Sequence, residues 1–233
     1  PGLDVAGTIA VVGSDVEGWH VGDPVMALVG RGAYAEFALA RTGLIYPPPG
    51  GMSLRDASSV PCVFLTAWHG LVTLGKLQPG ETVLIHAAGS GVGTAGIQIA
   101  KAYGARVLTS AGSDFKLAKG KELGAESGVN YSTQDVTSEL LRLTDGKGVD
   151  VVLDSVGGPI FDKTLLALAQ GGRVVTPGSP SGERSPLDEE RMKDLGQEVQ
   201  GIRVGDETAK DTNGIGWAWI TKHFEDGSMY PII

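Results

Sequence analysis

The stretch TVLIHAAGSGVGTAGIQIAK, residues 82–101, decides how the rest of the chain is read. It opens on Val83-Leu84-Ile85, a short apolar run of the kind buried on both faces of a parallel sheet. A turn of small residues follows, Ala88, Gly89, Ser90, Gly91, Val92 and Gly93, and then Ile97, Ile99 and Ala100 in a helix-compatible run that stops at Gly104. Strand, glycine turn and helix together aim unpaired backbone N–H groups and the positive end of a helix dipole at a phosphate. Side chains larger than serine at 89–91 would keep a pyrophosphate away. A literal G-x-G-x-x-G occupies 91–96, late relative to the strand; counted from Ala88 the frame is Ala88-x-Ser90-x-x-Gly93. Glycines alone describe a plain tight loop equally well. The strand before and the helix after, within a βαβ unit, are what point to a dinucleotide site.

Outward from this stretch the same alternation repeats. The sequence predicts strands at 106–110, 128–131, 149–154 and 173–176, and helices at 114–123, 134–143 and 161–169. Such alternation builds a doubly wound parallel sheet with its ligand groove beyond the carboxyl ends of the strands. The loops 88–93, 110–116, 155–158 and 177–179 all fall at that edge. Residues 1–46 read differently, as β-rich, with runs at 3–12, 24–29 and 34–40 between glycine turns. A stiff connector at 46–51 leads to a short helix capped by Ser53 and a longer one over 63–74. In the tail, 187–195 reads as a charged helix, 199–204 as an edge strand, 205–214 as a polar loop and 215–224 as a helix. Trp217 and Trp219 are expected to pack.

The chain has 233 residues, 42% hydrophobic, enough for a sizeable core in one large or two smaller domains. Its formal charge of −8 argues against nucleic-acid or anionic-membrane partners. One cysteine, Cys62, excludes an internal disulfide and fits a reducing, cytoplasmic setting. No apolar run reaches the ~18 residues that would span a bilayer. The start at Pro1, without Met and on a strand approach, leads us to expect a fragment of a longer protein. There is no G-x-S-x-G elbow and no P-loop lysine, which argues against hydrolase and kinase chemistry.

A family resemblance rests on PGLDVAGTI (1–9), VGDPVMAL (21–28), GAYAEF (32–37), FLTAWHGL (64–71), PGETVLIHAAGSGVG (79–93), KELGAESGVNY (121–131) and GKGVDVVLDSVGG (146–158). The runs ALAQGGRVV (167–175) and FEDGSMYPII (224–233) also fit. The chain resembles the medium-chain dehydrogenase/reductase superfamily, in its quinone-reductase and enoyl-reductase branch. The resemblance implies an α/β fold, a Rossmann-type doubly wound sheet plus a partial GroES-like catalytic domain. It divides the chain into 1–62 (GroES-like), 63–205 (nucleotide-binding) and 206–233 (a return segment), with further chain on both sides in full-length relatives. It also implies hydride transfer from NADPH to a quinone or an α,β-unsaturated carbonyl. A homodimer through the 199–204 edge strand follows from the exposed edge together with the resemblance.

The expected cofactor follows in part from local charge. The second strand ends in Ser110-Ala111-Gly112-Ser113, with no acid at Ala111 to bind a ribose 2′-OH, and small residues leave room for a 2′-phosphate. Asp114 is expected to cap the next helix. The resemblance matches Lys116 and Tyr131 to positions that hold the 2′-phosphate, although taken alone Lys116 is a solvated helix lysine. It matches Thr66 to a residue touching the nicotinamide side, and Val156, Gly157, Pro177, Gly178 and Ser179 to loops lining the nicotinamide and its ribose. Zinc-dependent members of the superfamily place one ligand where Cys62 stands, but Leu3 occupies the place of the partner His, with Asp4 following, and a third ligand would fall before Pro1. We therefore expect no metal. His86, on a buried strand, is expected to be hydrogen-bonded core. Two alternatives stand beside the leading expectation: an enoyl reductase acting on acyl-thioesters, and a chain that binds NADPH without turnover.

Overall fold

Parallel strands cannot be joined by hairpins, so each needs a crossover, and the chain supplies one after nearly every strand. The computed structural model describes residues 1–178, 187–202 and 210–233. These form two compact units, one of Pro1–Leu65 with Val204–Ile233 and one of Thr66–Arg203.

In the second unit, β4 (Thr82–Ile85), β5 (Arg106–Ala111), β6 (Ser127–Asn130), β7 (Val149–Leu153), β8 (Leu168–Thr176) and β9 (Glu198–Gly201) make one parallel sheet, in the order β6-β5-β4-β7-β8-β9. The chain runs outward from β4 to β6, then returns to lay β7 on the other side of β4, so the winding reverses between β4 and β7. Val83, Leu84 and Ile85 are fully buried, and Leu84 pairs with Leu108 on one side and Val152 on the other. Helices α3 (Gly91–Ala102), α4 (Asp114–Leu123), α5 (Val136–Leu143), α6 (Gly158–Leu165) and α7 (Glu189–Asp194) follow their strands. Their limits are written in the sequence. Ser90 and Asp135 cap α3 and α5 by accepting from Gly93 N–H and Ser138 N–H, and α4 stops at Gly124, whose φ of 122° suits only glycine.

The first unit holds a three-stranded antiparallel sheet, β1 (Asp4–Thr8), β2 (Pro24–Leu28) and β3 (Ile45–Tyr46). It also holds α1 (Leu54–Ala57), capped by Ser53, and α8 (Lys210–Glu225). Its core contains Met26, Ala27, Leu28 and Phe64. Trp217 is buried with its ring 5.0 Å from that of Tyr46, and Phe224 meets Phe64 edge-on at 4.9 Å.

Several sequence expectations need correction. Residues 34–40 form no strand. Their approach to the sheet consists of Ala33 N–H to Gly2 O and Tyr34 N–H to Pro1 O, and beyond this Tyr34, Phe37 and Leu39 are largely exposed. Helix α6 begins at Gly158, three residues before the expected start, and ends early, because β8 begins at Leu168 rather than at 173. Between Val149↔Leu168 and Val151↔Arg173 the register jumps, and Gly171 (φ 69°) and Gly172 absorb the extra chain as a bulge. The last helix starts at Lys210, inside the expected polar loop, and β9 ends at Gly201; residues 203–209 lie outside the described part. No helix among the described residues is long and apolar enough to cross a membrane.

The expected helix over 63–74 is α2 (Pro61–Trp68) continued by a π-helical turn, His69–Leu74. Gly70 sits in that turn, where a Cβ would stand 2.7 Å from Ile202 Cδ1 and 2.8 Å from Leu153 Cδ1. The missing side chain is what lets the widened turn lie on the strand ends. The opposite rim of the sheet is braced by Arg173, whose guanidinium reaches Gly75 O, Asp150 O and both carboxylate oxygens of Glu81. Replacing Gly70 by Ala puts a methyl against the ends of two flexible side chains and should change stability by no more than about 1 kcal/mol, read from the urea unfolding midpoint.

Candidate functional site

The glycine turn stands at the carboxyl end of β4, beside the reversal of winding. Ala87 adopts φ 57°, a left-handed conformation costly for a side-chain-bearing residue, and its carbonyl accepts from Ser90 N–H. That carbonyl presses on Gly93: a Cβ there would lie 2.1 Å from Ala87 O. Gly93 N–H is taken by Ser90 Oγ, Thr94 N–H by Ser90 O and Ala88 N–H by Ser110 O. The amides of Gly89, Gly91 and Val92 then have no acceptor among the described residues. Gly89 and Gly91 are exposed. Three free amides at and just before the start of a twelve-residue helix can receive an anion, and the Ala87–Gly93 contact packs that helix close against the strand.

The groups named for the second strand end divide into two sets. Ser113 is half-buried in the N-cap position of α4, with no side-chain capping bond, and Lys116 and Tyr131 converge on the loop. The Lys116 stem lies over Gly89, where a Cβ would be 3.1 Å from Lys116 Cγ, and the Tyr131 ring lies against Gly112, 3.0 Å from a Cβ built there. Among the described residues the exposed Lys116 ammonium has no ion-pair partner. Asp114 is not the cap; it is the first helical residue, and its carboxylate accepts from Asn130 Nδ2 at 2.7 Å. Ser110 belongs elsewhere, being fully buried with its hydroxyl bonded to the His86 ring.

Val156 and Gly157 form the turn after β7, and Asp154 organises it. Its Oδ1 accepts from Val156 N–H at 2.8 Å and Gly157 N–H at 3.1 Å, an Asx turn that the run Asp154-Ser155-Val156-Gly157-Gly158 could have signalled. Asp154 is buried, and its Oδ2 has no hydrogen-bond partner among the described residues. Thr66 is buried on α2, Pro177 and Gly178 follow the end of β8, and Ser179 lies outside the described residues. The sequence reading missed Asp154 and Thr164. His86 it placed correctly in the core, bonded through Nδ1 to Ser110 and through Nε2 to Thr164 at 3.0 Å. Burial holds the His86 pKa below its ordinary value against the opposing pull of Asp154.

Cys62, the residue matched to a zinc ligand of other members, falls within the first unit. Cys62 is half-buried, and its N–H donates to Asp4 Oδ1 at 2.9 Å. No group of three or more His, Cys, Asp or Glu side chains among the described residues is placed to hold a metal ion, so the ligand set a zinc centre needs is not assembled from them. Burial pushes the Asp4 carboxyl up to about 6 despite the Cys62 amide, which works to lower it. A carboxyl raised in the folded state supports folding at low pH and loses that contribution as pH climbs from about 4 through 6. Asp4→Asn keeps the acceptor and removes the charge. It should leave the thermal midpoint nearly unchanged at pH 4 and raise stability by about 1–2 kcal/mol at pH 8, once partial exposure is allowed for.

Comparison with known proteins agrees with this architecture. The family model described as zinc-binding dehydrogenase matches residues 91–220, and the alcohol dehydrogenase GroES-like domain matches residues 1–50. A phenolphthiocerol/phthiocerol polyketide synthase chain of Mycobacterium tuberculosis (strain ATCC 25618 / H37Rv) is 40% identical over 187 residues, 76% of this chain. The chain spans only 8% of that synthase's length. Among solved structures, the CurK enoyl reductase is 32% identical with a TM-score of 0.85, covering 99% of this chain and 69% of its own. Escherichia coli quinone oxidoreductase, complexed with NADPH, is 28% identical with a TM-score of 0.90, covering 98% of this chain and 71% of its own. On the fold, the strand–turn–helix at residues 82–102 and these matches, the chain belongs to the medium-chain dehydrogenase/reductase superfamily, among its quinone oxidoreductases and enoyl reductases.

Proposed function

We propose that this chain binds NADPH at the carboxyl edge of its parallel sheet and serves as a reductase of activated C=C bonds. The observation that carries the reading is the trio of free amides at Gly89, Gly91 and Val92, held open by the Ala87–Gly93 backbone contact. When bound, the nicotinamide supplies the hydride. The chain's own residues bind and orient. The amides and the α3 dipole receive the pyrophosphate, and Lys116, with Tyr131 and Ser113 nearby, faces the ribose 2′-phosphate. Asp154 fixes the Val156–Gly157 turn, and we assign that turn, with Thr66, Pro177, Gly178 and Ser179, to the nicotinamide half. The quinone oxidoreductase with NADPH bound supports this choice of cofactor.

Two acceptor classes fit the relatives. The polyketide synthase at 40% identity and the CurK enoyl reductase at 32% favour an α,β-unsaturated acyl-thioester. The quinone oxidoreductase is closer in backbone, at a TM-score of 0.90, and keeps a quinone or free enone as the second reading. Following NADPH oxidation with crotonyl thioesters and with benzoquinones separates them. A kcat/KM at least tenfold higher for the thioester supports the first reading, and the reverse ratio supports the second. NADPH binding without turnover of any acceptor would leave a nucleotide-binding chain with no reductase activity. Lys116→Ala should raise the KM for NADPH about tenfold or more while changing that for NADH less than twofold. Equal losses for both would remove the 2′-phosphate assignment.

A further inference from the structure

The buried ring of His86 has a defined tautomer. Thr164 Oγ1 spends its one proton on Ile160 O at 2.8 Å, so it can only accept from the ring, and His86 Nε2 must carry the hydrogen. In a neutral imidazole Nδ1 is then the acceptor, and the Ser110 hydroxyl donates to it. The ring thus joins three places: the residue that enters the glycine turn, the carboxyl end of β5, and α6, which the Asp154-organised turn introduces.

The ring sits where the direction of the turn is set. The backbone on both sides is already pinned, by His86 N–H to Leu153 O at 3.1 Å and Ala88 N–H to Ser110 O at 2.9 Å. Between them lies Ala87 in its left-handed conformation, and the direction of the Ala87 carbonyl decides where Ser90 and Gly93 sit. A ring bonded on both edges restricts rotation about the bonds leading into that carbonyl. We propose that His86 is a positioning residue for cofactor binding: through Ser110 and Thr164 it holds the turn so that the Gly89, Gly91 and Val92 amides converge on the pyrophosphate. The inference rests on the dinucleotide reading of the same turn. It differs from that reading in naming a group that touches no ligand.

Because a pyrophosphate is common to both nicotinamide dinucleotides, the effect must appear equally for NADPH and NADH, unlike that of Lys116. Thr164→Val and Ser110→Ala each remove one anchor of the ring with little change in volume. Dissociation constants from nucleotide-fluorescence titration, taken well below each variant's thermal midpoint, should rise about tenfold for both dinucleotides. Thr164→Ser, which keeps the hydroxyl, should return them to within twofold of the parent chain. In the ligand-free protein, nitrogen NMR of labelled histidine should show Nε2 protonated and Nδ1 not. Dissociation constants within twofold of the parent in both variants, with only the thermal midpoint lowered, would overturn the proposal and make His86 ordinary core. A proton on Nδ1 would overturn it as well. If the parent chain binds neither dinucleotide, the nucleotide reading itself falls; if it binds and the variants match it, only the role of His86 does.

Discussion

The second unit turns on one backbone contact, the Ala87 carbonyl resting against Gly93. No side chain fits between them, so the helix must begin almost at the strand's end, and the strand must already point into the helix. From that constraint follow the left-handed Ala87, the Ser90 cap and the amides left without acceptors. The sheet around it serves to hold the two ends still. Val83, Leu84 and Ile85 are fixed by neighbours on both sides, so the turn inherits the rigidity of the core rather than the mobility of a surface loop.

Much of the sheet was legible because its signals are local. Buried parallel strands show as short apolar runs, and glycines at 104 and 124 mark helix ends through their positive φ. Where the sequence misled, the determinant was remote. Residues 34–40 favour β structure by composition, yet no ladder runs along them and Tyr34, Phe37 and Leu39 stay largely exposed. The early start of β8 was hidden because Gln170, Gly171 and Gly172 look like a loop, and the bulge that admits them is visible only against β7. Asp114 looked like a cap until Asn130, sixteen residues on, claimed its carboxylate.

The site was legible to a similar depth. The glycine turn announces itself, whereas Ser110, expected at the same edge, is buried with its hydroxyl on the His86 ring. The convergence of Lys116 on Gly89 and of Tyr131 on Gly112 is a product of helix and strand placement that spacing alone does not give. The links from His86 span 24 residues to Ser110 and 78 to Thr164, beyond any local pattern. Enoyl reductases and quinone oxidoreductases resemble this chain alike, over both of its units.

The guanidinium of Arg173 works at the other rim. It gathers Gly75 and Glu81, both before β4, and Asp150, near the start of β7, into one knot at the amino edge of the sheet. Burial alone would raise the Glu81 carboxyl, yet the bonds from Arg173 and the Gln78 amide hold it below its ordinary range, so the knot stays ionised across neutral pH. Fastening the foot of the sheet this firmly leaves its head free to diversify. Loops after β5, β7 and β8 can change length and composition without loosening the platform beneath them.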